Sequence, residues 1–261
     1  MTHQPMEGVL KRSIKLALGF LAAVAIWGGP ARSAEITVLL NQATATGVRE
    51  LAAGFEKATG NKVKVDYLVG PALYQKIMAG GPGDLASLGS NQFDEFIKAG
   101  KIDGNSVVEY GRVGNGVAVR AGEPLPDIRT PDALKRALLE AKSIGHTKVG
   151  TGPFNTRMFQ RLGIYDQIKD KIKIVEGKLV AQAVLDGDVD LGIQQTNVIQ
   201  PLVGTVYLGP LPPELMEYGS VGIGLLKGSK EPQAATDFIK YMVDPANAAL
   251  LKKGFMYPPL K

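Results

Sequence analysis

Apolar positions along residues 36–256 follow two periods in turn. Ile36–Leu40 is a short β-branched apolar run that predicts a buried strand, and Val48, Leu51, Ala52 and Phe55 then recur at the spacing of one helix face. Gly60 and Asn61 supply the chemistry of a helix C-terminus. Val63–Val69 predicts a second strand. Pro71–Ala79 predicts a helix stopped by Gly80-Gly81-Pro82-Gly83. Leu85–Leu88 reads as a short strand, Asn91–Ala99 as a helix and Gly116–Arg120 as a strand leading into Glu123-Pro124-Leu125-Pro126. Thr130 and Pro131 are an N-cap and first helical residue for a face of Leu134, Ala137, Leu138 and Ala141. Strands are expected at Lys148–Gly150, Ile172–Val175, Leu191–Gln194 and Val206–Leu208, with helices at Asn155–Leu162, Lys178–Leu185 and Asn197–Leu202. Val221–Leu226 predicts a return strand. Ala235, Phe238, Ile239 and Met242 mark a helix face, and Asp244-Pro245 opens a last helix ending at Gly254. This alternation predicts an α/β protein with mostly parallel sheets. Two such sets, followed by a return strand, predict two Rossmann-like lobes joined by a two-crossing hinge. One lobe comprises 34–117 plus 215–261 and the other 118–214.

The first 33 residues carry a different pattern. Lys11, Arg12 and Lys15 precede the apolar run Leu16–Ile26, followed by Gly28-Gly29-Pro30 and Ala31-Arg32-Ser33-Ala34. This predicts a secretory signal peptide cut after Ser33, hence a protein working in the periplasm. The run is shorter than the roughly 20 apolar residues of a membrane span. The chain has 30 Lys+Arg and 25 Asp+Glu, net +5. Four of those bases and one of those acids lie in 1–33, which leaves a net charge of +2 and no argument for a nucleic-acid partner. With no cysteine there is no disulfide, thiolate metal site, cysteine nucleophile or lipid-modified cysteine. His146 is the one histidine beyond the leader, too few for a histidine metal site. No cofactor is expected.

In open α/β sheets, ligands bind beyond the carboxyl ends of strands, where helix N-termini favour anions. Four corners have suitable residues: Asn41, Gln42, Ala43 and Thr44; Gly70, Pro71 and Ala72; Thr151, Gly152 and Asn155; and Gln194, Gln195, Thr196 and Asn197. Each also reads as ordinary turn and cap chemistry. Side chains alternate along a strand, so at most one of Gln194 and Gln195 should reach a ligand, and Gln195 is favoured. Lys178 is a candidate cation or a solvated lysine, Tyr74 a cleft wall or packing residue, and His146 a surface residue. Asp66 and Asp84 read as a strand-face carboxylate and a cap.

The order and spacing of ITVLL…GVRELAAGFEKATGNKVKVDY, AGGPGDL, KAGKI, GVAVRAG, LGIQQ and ATDFIKYMVDPANAALLKKGF resemble the type 2 periplasmic substrate-binding proteins of ABC transporters. The molybdate-binding-protein-like branch is the nearest group. The resemblance implies a two-lobed, monomeric solute-binding protein that closes on a small molecule and docks on an ABC permease in the inner membrane. It also implies an oxyanion site of serine hydroxyls and backbone amides. Here Ala43 and Gly70-Pro71 stand where serines are expected, and Gln195 where a tyrosine is. A different small anion, oxyanion or carboxylate, is therefore expected. A sensory binding protein would present the same site, and an isomerase or hydrolase on this fold is the enzymatic alternative.

Overall fold

The computed structural model describes residues 33–68, 70–148, 150–199 and 202–259. The expected signal peptide, through Arg32, lies outside the described residues, as do Val69 and Val149 of two expected strands and Gln200 and Pro201 of one expected helix.

In chain order the elements are β1 (Glu35–Leu40), α1 (Gln42–Thr59), β2 (Lys62–Tyr67), α2 (Gly70–Met78), β3 (Leu85–Gly89), α3 (Phe93–Lys98), β4 (Val108–Val113), β5 (Asn115–Arg120) and α4 (Pro131–Glu140). They continue with β6 (Ile144–His146), α5 (Gly152–Arg161), α6 (Tyr165–Ile168), β7 (Ile172–Ile174), α7 (Val180–Leu185), β8 (Leu191–Gln195) and α8 (Thr196–Ile199). The last are β9 (Thr205–Pro210), β10 (Gly219–Leu225), α9 (Pro232–Val243) and α10 (Ala248–Lys253). One five-stranded sheet has the order β2-β1-β3-β10-β4 and the other β7-β6-β8-β5-β9. The chain enters the second sheet through Gly114 and returns between Pro210 and Gly219, so the lobe boundary expected at 117/118 falls within β5.

Both faces of the first sheet are covered, as the unbroken apolar run of β1 requires. Ile36, Val38 and Leu40 pack with α1 and α9 around Phe55 and Phe238, while Leu39 faces Leu73, Ile77 and Phe96 of α2 and α3. In the second sheet Val117, Leu191 and Ile193 pack on Leu134, Leu138, Met158 and Phe159 of α4 and α5. Asn41 caps α1 by accepting from Ala43 N–H at 3.0 Å, and Gly60 ends it in the left-handed region at φ 78°.

Three expectations are corrected. The sheets are mixed: β10 runs antiparallel to β3 and β4, and β5 antiparallel to β8 and β9. The crossing strands β5 and β10 each enter their sheet from the other one, so no helix crossover on the same sheet sets them parallel to their neighbours. The strand expected at Lys148–Gly150 is instead Ile144–His146, because Ile144 reaches the core beside Leu191 whereas Lys148 is exposed and Gly150 turns at φ 67°. β4, Val108–Val113, was not anticipated. Its polar Glu109 and Arg112 interrupt the apolar pattern, and pairing with β10 holds it in place. Among the described residues no helix is long and apolar enough to cross a membrane.

Asp84 is the polar anchor between β1 and the segment before α9. Its buried carboxylate accepts from Thr37 N–H at 2.8 Å, the Ser229 hydroxyl at 2.8 Å and the N–H groups of Lys230 and Glu231 at 3.0 and 3.2 Å. Burial alone would raise its pKa. The four donated hydrogen bonds outweigh burial and hold the group below the ordinary carboxylate value. Its contribution is therefore present above the unfolded carboxylate pKa and lost as pH falls through the lower folded value. Asp84→Ala should cost on the order of 3 kcal/mol at neutral pH in urea denaturation, with the gap to the parent narrowing at about pH 3. A pH-independent gap would contradict this reading.

Candidate functional site

The first turn of α1 follows the buried end of β1; its Ala43 N–H is given to Asn41 Oδ1 and its Thr44 N–H to Asn41 C=O, so what it presents beside α8 is the positive end of the helix dipole. Across from it, β8 delivers Gln194 and Gln195 to opposite sides. Gln194 Oε1 accepts from Val180 N–H at 3.1 Å and so caps α7. The half-buried Gln195 amide has no side-chain hydrogen bond among the described residues. The next residues tie the two halves together. Thr196 donates its hydroxyl to Phe255 C=O at 2.9 Å and its N–H to Gly114 C=O at 2.9 Å. Asn197, 1 % exposed, donates Nδ2 to Ala43 C=O at 2.9 Å and to Thr46 Oγ1 at 3.3 Å, which leaves its buried Oδ1 without a partner.

Two cavities flank the first turn of α1. One, of about 400 Å³, is lined by Gln42, Thr46 and Arg49 of α1, Tyr67 at the end of β2, Leu179 ahead of α7, and Asn197. Tyr67 donates its hydroxyl to Gln42 Oε1 at 3.1 Å, so the Gln42 amide nitrogen keeps its two hydrogens for another partner. The other cavity, of about 210 Å³, lies between Asn41, Gly70, Tyr74, Asn91, Gln92 and Glu95, over a floor that includes Leu88 and Phe96. Here Tyr74 donates to Glu95 Oε1. That hydrogen bond first, then burial and the carboxylate's charge, raise the phenol pKa.

The structure therefore brings Asn41 and Gly70 to one cavity, and Gln42 and Asn197 to the other. Ala43 meets Asn197 through its carbonyl, and Pro71 and Ala72 form the first turn of α2 after Gly70. Thr44 is turned inward: fully buried, it donates to Asn41 C=O and Ser87 C=O, both at 3.3 Å. Thr151, Gly152 and Asn155 belong to a buried cluster of the second sheet. Asn155 Oδ1 accepts from Asn115 Nδ2 at 2.8 Å, its own Nδ2 reaches Ile193 C=O at 3.5 Å, and the Thr151 and Thr147 hydroxyls are 3.2 Å apart. Gly152 is pressed against the Thr147 carbonyl, where no Cβ would fit. Lys178, a candidate cation, is spent elsewhere, on Asp186 at 2.7 Å and on Asp188. Asp66 pairs with Lys76 at 2.5 Å.

Arg49, Tyr67 and Leu179, and the corner of Asn91, Gln92 and Glu95, were not foreseen. The corner had a legible signal: Gly89-Ser90-Asn91-Gln92 follows a buried strand just as the four chosen corners do. Among the described residues no group of three or more acids and histidines could hold a metal ion.

His146 corrects a further expectation. It ends β6 and is 4 % exposed, not a surface residue. Nδ1–H donates to its neighbour's Thr147 carbonyl at 2.8 Å, which leaves Nε2 as the basic nitrogen, buried and unpartnered. Burial lowers its pKa, and the Thr147 hydrogen bond offsets part of that. A lowered imidazole pKa gives stability that is full above the ordinary value, about 6.5, and falls as acidification forces the buried ring to charge. Replacing His146 by Asn should flatten the decline of Tm between about pH 7.5 and pH 5. An unchanged decline would place the acid sensitivity elsewhere.

Residues 36–256 match the family model described as bacterial extracellular solute-binding protein. The chain is similar to a putative binding protein of Haemophilus influenzae, 30 % identical over 197 residues, covering 73 % of this chain and 78 % of the relative. It is also similar to an aconitate isomerase of a Pseudomonas species, 26 % identical over 231 residues, covering 85 % and 87 %. In three dimensions it resembles the substrate-binding domain of a putative molybdenum ABC transporter from Clostridium difficile. That match has a TM-score of 0.70 and 16 % identity, covering 87 % of this chain and all of that one.

Proposed function

We propose that this chain, which belongs to the bacterial extracellular solute-binding proteins, captures a small anionic solute in the periplasm between its two sheets and delivers it to an ABC permease. Its fold is that of the type 2 periplasmic binding proteins, in the molybdate-binding-like branch. The observation that carries the reading is the first turn of α1, held against α8 by Asn197 and flanked by two polar cavities. Helix N–H dipoles and fixed amides stabilise an anion by replacing its water with oriented donors, so no excess of lysine is needed. Capture would involve the groups of Asn41, Gln42, Ala43 and Gly70 on one side and of Gln195 and Asn197 on the other. The protein would act as a monomer whose sheets move about the crossings near Gly114 and 211–218.

A thermal-shift series on residues 34–261 with molybdate, sulfate, phosphate and small carboxylates tests this directly. A true solute at 100 times its Kd should stabilise by about 2.7 kcal/mol, a shift of several degrees. The side chain of Gln195 is the free amide of the pair, and Gln195→Ala should weaken that solute by about 1–3 kcal/mol in calorimetry. An unaltered affinity would remove Gln195 from the site.

A second reading has two observations in its favour. An aconitate isomerase is among the relatives, and the Tyr74–Glu95 pair in the smaller cavity is a hydrogen-bonded acid and base suited to moving a proton. If the chain is such an enzyme, aconitate incubated with it in deuterium oxide exchanges a carbon-bound hydrogen, and Glu95→Gln abolishes the exchange. Aconitate that binds without exchange leaves the chain a binding protein.

A further inference from the structure

Two residues at the start of α8 join the halves of the molecule by their side chains. α8 belongs to the second sheet's half: it follows β8 directly, and its Ile199 packs with Ala118 of β5 and Ala181 of α7. The Thr196 N–H stays with the crossing itself, on Gly114 C=O at 2.9 Å. The side chains reach past the crossing to the other half. Thr196 Oγ1 donates to Phe255 C=O at 2.9 Å, and Asn197 Nδ2 to Ala43 C=O at 2.9 Å and to Thr46 Oγ1 at 3.3 Å. Thr46 in turn donates its hydroxyl to Gly254 C=O at 2.8 Å. These bonds converge on two adjoining pieces of the first half, the start of α1 and the tail after α10.

The tail is shaped to receive them. Phe255 is the one non-glycine residue with a positive φ, 57°, among the described residues, a conformation that L side chains adopt at a cost. Its neighbours over-determine that conformation. Gly254 lies so close to α1 that a Cβ there would come within 2.9 Å of the Gly47 Cα, and Met256 is buried over the same Gly47. Tyr257 exchanges both backbone hydrogen bonds with Arg112 of β4, at 2.7 and 2.9 Å, and its ring meets that of Tyr218, on the return crossing, edge-on at 5.0 Å. The Phe255 ring is 43 % exposed, and what its conformation places inward is the carbonyl that Thr196 meets.

Resting on the solute-capture reading above, we propose that these bonds form a clasp that sets the balance between closed and open arrangements of the two halves. Thr196 is a positioning residue in it, acting on capture through the halves rather than by touching the solute. The backbone bond to Gly114 and the crossings themselves persist in both arrangements. Opening parts the Thr196 and Asn197 side chains from Phe255, Ala43 and Thr46, and water takes over their hydrogen bonds. That exchange makes each bond worth little net, which suits a switch: a few neutral hydrogen bonds bias the equilibrium without locking it. A solute that touches both halves adds to the bias. A weaker clasp lowers its apparent affinity by the fraction of closed molecules lost.

Pulsed electron-spin distance measurement tests the clasp in the full chain with no solute added, between labels on Lys98→Cys of α3 and Arg136→Cys of α4. Both positions are exposed, and the sequence has no cysteine of its own to label. Thr196→Val, which keeps the shape and loses the donor, should raise the ratio of long to short separations about three- to tenfold. Thr46→Val should shift it the same way, so the test stands if one of the two variants does not fold. Thr196→Ser, which keeps the hydroxyl, should give the parent distribution. Distances in the valine variants equal to the parent's overturn the clasp, as does a Thr196→Ser distribution displaced as far as that of Thr196→Val. The solute-capture reading is judged separately. Stabilisation of the parent by an anion of the thermal-shift series, with unshifted distances in the valine variants, overturns the clasp and leaves capture standing. Shifted distances with no anion stabilising the parent support the clasp and remove anion capture.

Discussion

The site depends on where the first turn of α1 lies relative to α8. β1 is buried on both faces and cannot shift without exposing Ile36, Val38 and Leu40 on one side or Leu39 on the other. That fixes the start of α1, and with it the positive end of its dipole. Asn197 grips the same turn from the second sheet's side, through Ala43 C=O and Thr46 Oγ1. One amide thereby sets the distance between the halves at the point where a solute would enter. Its own Oδ1 is buried and has no hydrogen-bond partner among the described residues.

The electrostatic design is economical. The net charge beyond residue 33 is close to neutral, and the charged side chains near the cleft are mostly neutralised locally, as Lys178 is by Asp186 and Asp188. Arg49 stands apart from that pattern. On the proposed reading, an anion would be attracted by groups that cannot reorient, namely the dipole end of α1 and fixed amides. Such groups need little reorganisation when the solute arrives. The side chains of Asn155 and Thr44 are buried and committed to internal hydrogen bonds.

The fold was legible where local pattern and tertiary burial agree. The run Ile36–Leu40, the face of Val48, Leu51, Ala52 and Phe55, the Gly60 cap and the helix of Ala235, Phe238, Ile239 and Met242 all read from spacing alone. Strand direction did not, because the reversal at Gly114 carries no signal that distinguishes a crossing from a hairpin. Nor did β4, whose alternation is broken by charge. At the site, the opposition of Gln194 and Gln195 follows from the strand period. The inward turn of Thr44 depends on Ser87, 43 residues away, and the burial of His146 on the fold around a strand end, which no local window contains; the ion pairs of Lys178 lie only 8 and 10 residues along the chain, but whether the lysine turns to Asp186 and Asp188 or to a solute depends on how α7 is placed. Arg49 was passed over for a related reason. On a helix surface an arginine is ordinarily solvated, and only the placement of Tyr67 and Leu179 across from it makes a cavity.

The central claim is that one solute touches the first turn of α1 and the start of α8 at once. Hydrogen–deuterium exchange of the protein with and without a saturating solute tests it most directly. The account predicts joint slowing of the amides in 42–49 and 195–199, with the helices α4 and α9 unaffected. Protection confined to one of the two segments, or appearing instead around a separate cavity of about 380 Å³ lined by Arg120, Lys142 and Asp190, would contradict it.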